Sequence, residues 1–282
     1  MQEQGFHRTF LEAGNYRYAK LATLLSLGTI VAYYKESSPL GPYGGTATGL
    51  TLGTIGAALI VWLMWFGVRK RRYSSRMGTL QGWLSAHVYL GLSLIVVATF
   101  HTGFQAGNNI HTLAYVLMMI VIASGLYGVY AYTRFPTLIA EVMGDETLDS
   151  IFLKVPSLDQ EARRLAMRLP DEINRSVLDA SQRSRIGGGV LSQLRGTDPS
   201  CPTTAAADLV RARGAKLKGA DAEANRELYA VLVRKQRLLE RGRQAVMYKA
   251  RLNVWLYAHV PLAFALLVAL TAHIISVFFY LA

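Results

Sequence analysis

Apolar residues dominate long stretches of this chain, and the stretches are of the length a bilayer demands. A helix needs about 20 apolar residues to cross about 30 Å of hydrocarbon. Runs close to that length stand at 18–34, 49–68, 82–104, 110–132 and 252–281. The pattern predicts an all-α integral membrane protein with five transmembrane helices, the first of them the weakest. Residues 35–45, which include Pro39, Pro42, Gly41, Gly44 and Gly45, read as a turn-rich link. Between the fourth and fifth runs the chain turns polar. Helical spacing of apolar residues recurs there at 161–169 and 222–247, and Leu228, Val231, Leu232 and Leu238 share one face of the second. That helix is expected to run on into the fifth span. Residues 186–204 carry Gly187, Gly188, Gly189 and two prolines and read as irregular. The organisation is then an N-terminal segment at 1–17, four spans within 18–134, a mainly helical insert at 135–248 and a fifth span at 249–282.

Composition agrees with this pattern. Of 282 residues, 52% are hydrophobic and only 17% charged, which does not suit a soluble domain. The formal net charge is +12, and its placement matters more than its size. Arg69, Lys70, Arg71, Arg72 and Arg76 follow the second run, and the insert holds most of the remaining basic residues. The positive-inside rule puts both on the cytoplasmic side. The N-terminus is then cytoplasmic and the C-terminus outside, as expected for a multi-pass protein of a bacterial inner membrane. This accounts for the charge through membrane lipid, without nucleic acid. A single cysteine, Cys201, excludes an internal disulfide, a Cys-rich iron–sulfur site and covalent c-type haem attachment. No cleavable signal is expected, because the first apolar run follows a polar stretch and has no small-residue cleavage site behind it. The insert contains no phosphate loop and no dinucleotide fingerprint. Gly187 to Gly189 reads as a flexible turn.

Candidate chemistry comes from histidines. Ionisable side chains inside a span are costly and mark function by default. His87 and His101 lie in the third run, His259 and His273 in the fifth, and each pair is fourteen residues apart. Fourteen residues advance a helix by about 21 Å and return to within about 40° of the same face. Spans three and five run in the same direction, so His87 comes level with His259 and His101 with His273. Two imidazoles on facing helices at each level suit bis-histidine ligation of two haems. Gly91, Gly103 and Ala263 supply small side chains beside them. Proton transfer and metal-ion transport are the competing readings. Metal transport is the less attractive, since no Asp or Glu occurs in 82–132 or after Arg251.

The paired histidine spacing on two helices, with small and aromatic residues around it, resembles the di-haem membrane cytochromes b over spans two to five. The resemblance implies a four-helix di-haem bundle with two haem b, axial ligands His87, His259, His101 and His273, and exchange of electrons with quinone or quinol or with a redox protein. The chain departs from that family in its large basic insert and lacks the Pro-Glu-Trp-Tyr motif of complex III. His111, at the outer start of span four, is a candidate quinone or proton site, with a solvated surface position as the alternative. Arg76, Lys249 and Arg251 are candidates to pair with haem propionates or to anchor headgroups. Three functions stay open: the electron-conducting subunit of a redox complex, a stand-alone transmembrane reductase, and a haem-free proton or metal transporter.

Overall fold

A computed structural model of the chain describes residues 10–37, 43–71 and 78–281. Among the described residues there are helices and no strands. After a 3-10 turn at Phe10–Glu12 come α1 (Arg17–Lys35), α2 (Ala47–Arg71), α3 (Leu80–Thr102), α4 (Ile110–Met143), α5 (Leu148–Ala166), α6 (Asp171–Arg183), α7 (Val190–Arg195), α8 (Pro202–Gly214) and α9 (Gly219–Leu281).

Four of these, α2, α3, α4 and α9, are long and apolar enough to cross a membrane. Five had been expected. The difference is α1, which forms a helix over the first apolar run but whose Arg17, Lys20 and Lys35 leave it less apolar than the other four. Local chemistry sets several of the ends. The Thr79 hydroxyl accepts the Gly82 amide at the start of α3, and Gly103 closes it in the left-handed region at φ 59°. Gly103, expected to make room for a porphyrin, thus serves the backbone. The expectation that residues 222–247 run on into the last apolar run is met by α9, 63 residues without a break. The irregular reading of 186–204 holds only in part, since α7 and the start of α8 fall within it.

The chain divides into two compact units, Met1–Ala131 with Trp255–Ala282, and Tyr132–Val254. The boundaries differ by a few residues from those read off the charge pattern, because α4 and α9 continue past their apolar stretches. In the first unit the core is a layer of Ile60, Leu63, Ala86, Leu90, Leu94, Met118, Leu266 and Leu270, drawn from α2, α3, α4 and α9, with Ala22 of α1. The outer faces are also apolar: Leu24, Leu27, Val31, Trp65, Phe264, Val268 and Phe278 are exposed. A soluble monomer rarely exposes so much apolar surface, whereas a lipid solvent favours it.

The second unit is built as a soluble domain is. Leu165, Ile173, Val177, Val210, Leu228 and Leu232 form a core among α5, α6, α8 and α9. Met143, Ile151, Leu158, Leu238 and Ala245 form a second core at α4, α5 and α9. The Lys235 ammonium lies within the unit, donating to the Asp159 carboxylate at 2.6 Å and to the Ala180 carbonyl at 2.8 Å. This pairing gives a lysine side chain that is 1% exposed both an anionic partner and a carbonyl acceptor.

Candidate functional site

The four intramembrane histidines lie on two helices, and two others back them. His87 and His101 are on α3, supported from α2. The His87 Nδ1 meets the Leu63 carbonyl at 3.1 Å, and the His101 Nδ1 meets the Gly49 carbonyl at 2.7 Å. A carbonyl only accepts, so in both rings Nδ1 carries a hydrogen and points it at α2. The two acceptors on α2 are again fourteen residues apart.

His259 and His273 are on α9, supported from α4. The Ser124 hydroxyl pairs with His259 Nδ1 at 2.6 Å, and a Cβ at the neighbouring Gly125 would meet the same ring at an ordinary 3.7 Å. Trp255, one turn earlier, donates from Nε1 to the Ser124 carbonyl at 2.8 Å and packs flat on Gly128, where any side chain would collide with the indole. His273 pairs through Nδ1 with His111 Nδ1. Among the described residues, every one of the four Nδ1 atoms is therefore engaged and no Nε2 atom has a hydrogen-bond partner.

The levels pair across the helices. The His101 and His273 rings have centroids 6.1 Å apart and planes 76° apart. His87 and His259 lie within electrostatic reach of each other. Between the two levels the helices carry Leu90 and Leu94 on α3 and Leu266 and Leu270 on α9, all buried in the apolar core. The levels are thus separated by hydrocarbon. Phe66 covers His87 at 5.2 Å and Trp255 covers His259 at 5.4 Å between ring centres.

Close approach of α2 to α3 depends on Gly53. A Cβ there would lie 2.6 Å from His101 Cε1 and 2.9 Å from its Nδ1. Nothing in the sequence connects Gly53 with His101, because only the register of α2 against α3 brings the two together. Ser124 was missed altogether. Its signal was the adjacent pair Ser124-Gly125 within an apolar run that has no deep histidine of its own. His111, read as a surface position or a quinone site, is in fact the Nδ1 partner of His273. Gly91 lies one turn beyond His87, with the Leu63 side chain 4.0 Å from where its Cβ would be. Arg251 donates to the Leu194 carbonyl at 3.4 Å. Arg76 lies outside the described residues.

The fit of a haem can be tested on these observations. Two imidazoles bound on opposite sides of one metal, with bonds of about 2 Å each, place their ring centres roughly 6 Å apart. The His101–His273 separation of 6.1 Å matches this. A ligating imidazole normally donates its other nitrogen to a fixed acceptor, and His87 and His101 have that support from the Leu63 and Gly49 carbonyls, while His259 and His273 meet Ser124 and His111 through Nδ1. Among the described residues no group of three or more His, Cys, Asp or Glu side chains is placed to hold a metal ion. The chain matches no protein-family model, no curated protein and no solved structure.

Proposed function

We propose that this chain conducts electrons across a membrane through two b-type haems, one held by His87 and His259 and the other by His101 and His273. The observation that carries this reading is the shared state of the four rings, with each Nδ1 tied to α2 or α4 and each Nε2 free. The haem supplies one-electron chemistry at its iron. The protein's residues do the rest. The Leu63 and Gly49 carbonyls fix which nitrogen of His87 and His101 carries the hydrogen, the Ser124 hydroxyl orients His259, and the leucine layer keeps water from the space between the levels.

In this reading α1 completes five spans, its Leu24, Leu27 and Val31 facing lipid, in a bacterial inner membrane with the basic insert on the cytoplasmic side. The chain serves as the membrane cytochrome b subunit of a redox complex, exchanging electrons with quinone or quinol or with a redox protein, the positive insert steering an acidic partner. A second reading, haem-free proton transfer, draws support from the direct His111–His273 pair, which forms a path through which a proton can pass between two imidazoles.

A dithionite-minus-oxidised spectrum with a pyridine haemochrome assay on the purified protein decides between them. The expected result is about two haem b per chain, with one lost in His87→Ala or His259→Ala and the other in His101→Ala or His273→Ala. Protein made with ample haem that contains none would overturn the electron-transfer reading and leave the proton path.

A further inference from the structure

Trp255 begins the part of α9 that belongs to the apolar unit, and it stands one helical turn before His259. Both residues reach the same partner on α4. The indole Nε1 donates to the Ser124 carbonyl at 2.8 Å, while the Ser124 hydroxyl meets His259 Nδ1 at 2.6 Å. One serine is thus held at two atoms, its main chain by the tryptophan and its side chain by the histidine.

A carbonyl inside a helix is seldom open to a second donor. The carbonyl of residue i accepts from the amide of residue i+4, and the side chain at i+4 leans back toward the N-terminus and crowds what remains of that oxygen. For Ser124 the crowding position is Gly128, which has no side chain to lean. A Cβ there would overlap indole Cζ2 and stand 2.6 Å from Cε2 and 2.7 Å from Cη2, so the tryptophan ring fills the space that a side chain would take. Gly128 is buried while its neighbours Leu126, Tyr127 and Tyr130 are exposed, which puts this socket on the face turned to α9. At Gly125, by contrast, a Cβ would meet His259 Cε1 at an ordinary 3.7 Å. The contact without slack is the one at Gly128. The indole, rather than the imidazole, therefore sets how closely α9 approaches α4 here.

We propose that Trp255 is a positioning residue for the His87–His259 haem site: seated in the Gly128 socket and bonded to the Ser124 carbonyl, it fixes the register of α9 on α4 at which the Ser124 hydroxyl meets His259 Nδ1. The inference rests on the electron-transfer reading, in which His259 is a haem ligand. Its effect is confined to one level. His273 lies eighteen residues beyond Trp255, about 27 Å along the helix at 1.5 Å per residue, and pairs with His111 instead. The His101–His273 haem thus serves as an internal control on the same helices.

The test is a double-mutant cycle on the purified full-length protein, comparing wild type, Trp255→Phe, Ser124→Ala and the two together. Trp255→Phe keeps a ring for the socket and removes the N–H donor. Each protein is read by transfer of its haems to excess apomyoglobin, by potentiometric titration and by the low-spin electron paramagnetic resonance signal, which follows the orientation of the axial imidazoles. Trp255→Phe is expected to weaken haem binding at the His87–His259 level by about tenfold, the lower end of the range for loss of an outer-sphere partner, and to shift the signal of that haem alone. In the Ser124→Ala background the same change is expected to add less than about twofold, since a residue that acts through Ser124 has nothing left to act on. Gly128→Ala, which evicts the indole from its socket, is expected to reproduce the loss. Unchanged retention and signal in Trp255→Phe would overturn the inference. A loss of equal size with and without Ser124, or a loss at both levels, would place Trp255 in bundle packing alone and overturn it as well. A wild type that binds no haem would remove the electron-transfer reading and this inference together.

Discussion

Gly53→Ala tests the haem site through a single methyl group. The new Cβ would stand 2.6 Å from His101 Cε1, 2.9 Å from Nδ1 and 3.2 Å from Nε2. Carbon contacts are comfortable at about 3.5–4.0 Å, so the imidazole must retreat by about 1 Å or α2 must part from α3. Either movement stretches the 2.7 Å bond from Nδ1 to the Gly49 carbonyl beyond hydrogen-bonding range. Overpacking of this kind costs about 1–3 kcal/mol. If that falls on haem affinity it weakens binding by roughly tenfold to a hundredfold, the range also expected when a ligand loses its supporting hydrogen bond. Gly56→Ala is the control on the same helix, since its Cβ would meet Val97 at an ordinary 3.6 Å and alanine favours the helix by up to about 1 kcal/mol. The assay is haem content per chain together with a potentiometric titration. Gly53→Ala is expected to lose or shift the haem at the His101–His273 level and to leave the other unchanged, while Gly56→Ala retains both. A Gly53→Ala protein with full haem content and unshifted potentials would refute the placement of His101 as a ligand supported from α2.

The other predictions concern the second helix pair and the extramembrane unit. Ser124→Ala removes the 2.6 Å partner of His259 and is expected to weaken haem binding at the His87–His259 level by about 10–100-fold, with Ser124→Thr restoring it; equal haem retention in Ser124→Ala would count against that role. Lys235→Ala leaves the Asp159 carboxylate, whose own pKa is raised by burial despite the lysine, without its partner. A loss of about 3–5 kcal/mol is expected, read by hydrogen exchange in α5, α6 and α9, with Lys235→Met less affected because it fills the space. At Cys201, burial alone would raise the thiol, but the hydrogen bond from Arg243 and the backbone donors at the start of α8 outweigh it and hold it below the usual 9.0. A depressed acid adds stability above the unfolded value and loses it as pH falls through the folded one. The stability gap between wild type and Cys201→Ser should therefore widen as pH rises from neutrality through 9.0, and a gap independent of pH would show that the thiolate contributes nothing.

Much of this protein was decided by the sequence itself. Lipid is a solvent that tolerates neither charge nor an unpaired peptide group, so long apolar runs must be helices wherever they lie. The histidines stood out for the same reason, as costly residues in such runs, and their spacing of fourteen is a property of one helix that needs no tertiary information. The first apolar run was read as a span of the same kind, although Arg17, Lys20 and Lys35 make α1 less apolar than the others.

The supporting contacts needed the third dimension. That His87 and His101 hang on the Leu63 and Gly49 carbonyls is invisible in sequence, because every residue has a carbonyl and only the register of α2 against α3 selects which two are used. Ser124 and His111 become partners of His259 and His273 only once α4 is laid beside α9, more than a hundred residues later in the chain. The closure of the 186–197 segment likewise depends on Arg243 reaching the Arg185 carbonyl and the Asp198 carboxylate, which sequence leaves unrelated. Periodicity fixes which residues share one helix face, whereas the partner of that face is set by side-chain packing between helices, which short-range pattern does not encode.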